Sequence, residues 1–484
     1  MCRAAIRSLW ARPLPKAQPK RFELSTPVVV AGFFGAHTRP GRSQRAAANG
    51  RQRVAAATSE EVRANDGRSV MAFDPRRRAR RLFGHLRSER RTLRQGFVAL
   101  IVSTGAALVA GITLSSISHT LLALPGLIIL IPAANGMRGT IFGAIGARFG
   151  TSIHAGLFEV TRERRGVLYQ NTFVAIATTF SSSLYLAALA KLSAVMFGLP
   201  SISLLDFVTI SVVGGVLGSA IILALTTAIS IVSFRRGYDL DAVSTPIVTA
   251  AGDMTTVPSL YLATFIVRIH WLNAAVAGAM IAVSLYATIR GALTDLPLAR
   301  RIQLEMAAVI ILTPLLDILA GTAVESRLDR FVALPGLLVV VPPLVSNAGA
   351  LGGILSSRIS SKIHLGAISA KGWPESLAFL DAGLVMISGL FAFTLTGTLA
   401  VLFSVVANKA YPGVTVMVIG TLIVGMIATL VSIGVSYYVA VLTTRFGWDP
   451  DNHAVPIITS VMDLAGVAIF LFVVLSVFGV AAHG

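Results

Sequence analysis

The chain has 484 residues, 55% hydrophobic and only 13% charged, with a mean hydropathy of +0.77, which excludes a string of soluble domains and points to a polytopic membrane protein. Most of the +19 net charge lies before Gln95, and later charges fall mainly between apolar runs, a pattern of membrane topology rather than nucleic-acid binding. The single cysteine, Cys2, rules out an intrachain disulfide or cysteine-based cluster, and no HxxxH or HExxH spacing supports zinc chemistry. Neither an enzyme nor a resident cofactor is expected.

Residues 1–95 read as a basic cytoplasmic segment. Positions 1–70, rich in Arg, Ala, Gly and Pro without a sustained apolar period, are expected to be disordered. Their composition suits either a transit peptide or an over-extended reading frame whose true start is Met71. The run from Asp74 to Arg94 should stay cytoplasmic and touch anionic headgroups of membrane lipids.

Apolar segments follow at 97–118, 121–147, 171–197, 205–234 and 243–268, each long enough to span a bilayer. A sixth at 273–289 stands alone, and five more lie at 304–323, 331–357, 378–406, 413–442 and 455–480. The expected fold is an all-α polytopic membrane protein of about eleven transmembrane helices.

The sequence repeats itself at a constant offset of 210. Asp239 to Asp253 returns as Asp449 to Asp463, with Asp239/Asp449, Asp241/Asp451, Pro246/Pro456, Thr249/Thr459 and Asp253/Asp463 coinciding. Leu124 to Gly156 likewise aligns without gaps to Leu334 to Gly366, sharing Pro125/Pro335, Pro132/Pro342, Arg148/Arg358 and His154/His364. The divisions are thus repeat 1 at 96–270, a linking helix at 271–300 and repeat 2 at 301–484.

Loops carrying Arg148, Arg162, Arg164 and Arg165, then Arg235 and Arg236, Arg290, Arg300 and Arg301, Arg358, Lys362 and Lys371, and Arg445 fall inside when the N-terminus is cytoplasmic, leaving the C-terminus outside. Five helices joined directly to five would invert the second unit. The extra helix restores the orientation, so parallel repeats about an axis along the membrane normal are expected, one chain imitating a dimer.

A carboxylate within a span costs about 2.5–3.5 kcal/mol on insertion scales, so Asp253 and Asp463 call for a cation, a proton or a hydrogen-bond donor. Facing carboxylates suit a hard divalent ion that keeps several waters; bonding to a neighbouring helix is the alternative. Asn135, Thr140, Ser346 and Asn347, on proline- and glycine-rich second helices, either add neutral oxygens to such a site or serve packing. Asp239, Asp241, Asp449 and Asp451 at the inner mouth either gather cations or cap the fifth helices. Arg148/Arg358 and His154/His364 are read as inner-surface anchors. Asp317, whose counterpart is Ala107, marks either a coupling-ion site or a packing contact.

These residues resemble the membrane domain of the MgtE and solute carrier 41 magnesium transporters. The likeness is sharpest at 449–463, at 239–253 and in SRISSKIH at 357–364. It implies that Asp253 and Asp463 bind magnesium, or another divalent cation, in a pore of the cell membrane. It also implies a two-unit chain like solute carrier 41, where bacterial MgtE uses two chains. The family's GGN or KGN step is replaced here by Arg138-Gly139-Thr140 and Ala348-Gly349-Ala350. Two other readings are a proton-coupled transporter of another solute, with the aspartates as relays, and an intramembrane aspartyl protease. Proteolysis needs a dyad with unequal roles, whereas these aspartates occupy equivalent places.

Overall fold

Each long apolar run forms a helix, because a backbone in lipid must satisfy its N–H and C=O groups within its own segment. The computed structural model describes residues 90–161, 163–236, 240–370, 372–448 and 450–474. The first half contains α1 (Arg90–Ser116), α2 (Ser118–Ala123), α3 (Leu127–His154), α4 (Val167–Met196), α5 (Leu204–Arg236) and α6 (Leu240–Val267). The linking helix is α7 (His270–Ala292). The second half contains α8 (Pro297–Glu325), α9 (Leu328–Ala333), α10 (Pro335–His364), α11 (Ser376–Val406), a π-helical turn at Val416–Gly420, α12 (Thr421–Phe446) and α13 (Pro450–Phe472). No strand occurs among the described residues, so the protein is an all-α polytopic membrane protein.

Among the described residues nine helices are long and apolar enough to cross a membrane. Helix α6, 28 residues long, is not one of them, because Thr249, Asp253, Thr255, Thr256 and Pro258 dilute its hydropathy. Residues 1–89 lie outside the description, and with them the expectations for a transit peptide, a start at Met71 and headgroup contacts.

The 210-residue offset governs structure as well as sequence. Helices α2 and α9 are both six residues long and begin at Ser118 and Leu328, and α3 and α10 both end at the paired histidines His154 and His364. The second spans start later than the apolar runs suggested. Pro125 lacks a donor and Gly126 adopts φ 87°, a left-handed conformation suited to glycine, which separates α2 from α3. Pro132, Pro342 and Pro343 lie inside α3 and α10 without interrupting them.

The halves interlock through their first helices. Helix α1 packs on α10 and α6, while α8 packs on α3 and α13. At the crossings a Cβ on Gly111 would meet the Val339 carbonyl, and one on Gly321 would meet the Ile129 carbonyl. Both contacts obey the offset. In lipid, where apolar burial offers little gain, such backbone proximity and its dispersion contacts drive helix association.

Candidate functional site

Helices α3, α6, α8, α10 and α13 meet around Asp253. Helix α6 exposes Met254, Leu262 and Phe265 on one face and turns Asp253 inward on the other, where it is only 4% exposed. Its Oδ1 accepts a 2.7 Å bond from the Asn135 side-chain amide on α3, and its Oδ2 accepts a 3.0 Å bond from the Ser346 hydroxyl on α10. One donor comes from each half; the Asn135 bond has the length of a charge-assisted one, and the Ser346 hydroxyl bond is the longer of the two.

Two more carboxyl groups approach this pair. Asp463, on α13, remains partly exposed and lies within electrostatic range of both Asp253 and Asp317. Asp317, fully buried on α8, rests against Gly136, where a Cβ would collide with its Oδ2. The Ser460 hydroxyl lies nearby, but neither Asp317 oxygen makes a hydrogen bond of normal geometry, and Asn135 Oδ1 is likewise without a donor. Oxygen acceptors therefore outnumber donors here. A buried, unpaired acceptor is costly, and the deficit is of the kind a cation or its waters would fill.

Other sequence candidates lie elsewhere. Asn347 is fully buried but turns away from Asp253: its amide donates to Thr104 on α1 at 3.0 Å and to Thr396 on α11 at 3.2 Å. Asp239 and Asp449 fall outside the described residues. Asp241 and Asp451 sit in the first turns of α6 and α13, with side chains outside the description. Arg358 and Lys362 tie the C-terminal end of α10 to Asp381 on α11, at 3.0 and 2.5 Å. Asp381 was legible as a lone acid at the start of an apolar run. Arg148 reaches the Met306 sulfur at 3.5 Å; His364 bonds its own helix at the Ser360 carbonyl.

The divalent cation transporter family MgtE matches residues 131–263 and again residues 341–473, one match per repeat, each carrying one of the paired aspartates. The chain belongs to the MgtE family of divalent cation transporters. Its relatives include solute carrier family 41 member 3 of Rattus norvegicus, 22% identical over 397 residues, covering 77% of this chain and 84% of the relative. Member 3 of Mus musculus is 23% identical over 367 residues, covering 71% and 73%, and member 2 of Mus musculus is 23% identical over 366 residues, covering 70% and 62%. No solved structure matches. Membership in MgtE makes the chain a transporter and sets aside the protease reading.

Proposed function

We propose that the chain moves magnesium across the cell membrane along a path between two parallel repeats, with Asp253 and Asp463 holding the partly hydrated ion. The observation that carries this reading is the surplus of acceptor oxygens where the halves meet: Asp253, Asp463, Asp317 and Asn135 Oδ1 against few donors. Magnesium sheds water reluctantly and needs only one or two carboxylates. Among the described residues no three acidic or histidine side chains form a cage that would hold a bare metal, so an ion here retains much of its water shell. The Asn135 and Ser346 donors keep Asp253 oriented for that shell.

The unpaired helix α7 favours parallel repeats, and the loop arginines favour a cytoplasmic N-terminus and an outer C-terminus. In this arrangement a monomer suffices, because both halves of the site lie in one chain.

The test is magnesium uptake into proteoliposomes by the wild type, Asp253→Asn, Asp463→Asn and the double variant. The reading expects robust wild-type uptake and loss of at least tenfold in each variant that remains folded. Uptake surviving the double change would contradict it. Metal-independent flux driven by a pH gradient would instead support the proton-coupled reading.

A further inference from the structure

Arg138 is the residue the cation site leaves unexplained. It lies on α3 less than one turn beyond Asn135, yet it faces away from Asp253 into a cavity between α3, α4 and α5. The side chain is 4% exposed. One terminal nitrogen, Nη2, donates to the Gly214 carbonyl at 2.9 Å; Nη1 is buried with no partner. Among the described residues no carboxylate exerts an electrostatic effect on it. Guanidinium groups hold their proton in proteins, so this buried charge lacks a counter-ion.

The cavity is lined beside Arg138 by Thr179, Ser182, Ser183, Ser211 and Ser219 and, at about 10 Å³, has room for one small occupant and no more. The Thr179 hydroxyl is also buried without a partner. Glycines supply the space: a Cβ at Gly218 would strike the Arg138 guanidinium, and one at Gly215 would strike the Ser183 hydroxyl.

Repeat 2 provides the control. At the 210 offset Arg138 becomes Ala348, Thr179 becomes Gly389, Ser182 becomes Ala392 and Ser183 becomes Phe393, while Gly215 remains glycine as Gly425. The Phe393 ring is fully buried and lies directly over Gly425. The same helix junction is thus filled by an aromatic ring in one half and hollowed into a cationic, hydroxyl-bearing pocket in the other. Helix packing alone is served by the aromatic solution; Ser182 and Ser211 already donate to backbone carbonyls, so it is the Arg138 charge and the unpartnered Thr179 hydroxyl that together call for an acceptor carrying negative charge. A lone water would satisfy hydrogen bonds and leave the charge uncompensated.

We propose that repeat 1 binds a small monovalent anion, chloride under cellular conditions, between Arg138 Nη1 and the hydroxyl of Thr179. The anion neutralises a positive charge that would otherwise sit close to the cation path. Its binding is independent of how magnesium is held.

The experiment uses the purified full chain, titrated with bromide at constant ionic strength against gluconate, which is too large for the cavity, with crystals grown in bromide for anomalous scattering. The expected result is a bromide peak beside Arg138 Nη1 and a melting temperature that rises saturably with bromide, both lost in Arg138→Ala. Thr179→Val, a milder change, should keep the fold and raise the half-maximal bromide concentration about tenfold, the consequence of losing one hydrogen bond to a charged group. An anion-independent wild type, a cavity holding only water, or a bromide response unchanged in Thr179→Val would each overturn the proposal.

Discussion

The Asn135 side chain donates to Asp253 across 2.7 Å, joining the second and fifth helices of repeat 1 through a single charge-assisted bond. Ser346 supplies the matching bond from the other half. The two donors are not equivalent by the repeat: the counterpart of Asn135 is Val345, and that of Ser346 is Gly136.

Replacing Asn135 by Ala should therefore cost transport more than stability. Hydrogen bonds to charged groups are worth about 1.5–3 kcal/mol, so the apparent affinity for magnesium should weaken by about tenfold or more. Concentration-dependent uptake in proteoliposomes measures this, and Asn347→Ala, away from Asp253, should leave the affinity near wild type.

Asp317→Ala should separate stability from function. Its carboxylate is fully buried, makes no regular hydrogen bond and lies near Asp463, so truncation removes an uncompensated polar group. In magnesium-free detergent the variant should melt higher than the wild type, yet magnesium should raise its melting temperature less. Thermal melts with and without magnesium report both effects.

Gly321→Val should destabilise by about 1–3 kcal/mol or more through overpacking against the Ile129 backbone, and Gly111→Val should do the same at Val339. Gly139→Ala meets nothing within 4 Å and serves as the neutral comparison, read by melting temperature.

Asp381→Asn should cost about 3 kcal/mol, since it removes the fully buried charge that pairs with Arg358 and Lys362. Asn already occupies the equivalent place in repeat 1, as Asn171, so the backbone accepts the side chain and the loss reports the charges. A lowered melting temperature with unchanged affinity in the surviving folded fraction is expected.

The helices and their repeat were readable because hydropathy and a gapless 210-residue offset are properties of the chain alone; α2 escaped because Pro125 and Gly126 break an apolar run without changing its composition, and α9 because Leu334 and Pro335 do so in the second repeat. The site was only half readable. Asp253 and Asp463 stood out by symmetry, whereas Asn347, a candidate only because it lies on a proline- and glycine-rich second helix, turns instead toward Thr104 and Thr396. Asp317 reaches the junction because α8 crosses onto α3, a tertiary relation that no local pattern encodes. The polar pocket at Arg138 was equally hidden, since its meaning emerges from contrast with Phe393.

The most direct measurement is anomalous scattering from crystals equilibrated with manganese in place of magnesium. One principal peak is expected at the junction of α3, α6 and α13, within water-bridged reach of Asp253 and Asp463, together with its loss in Asp253→Asn. A principal peak elsewhere, or one unchanged in that variant, would contradict this site.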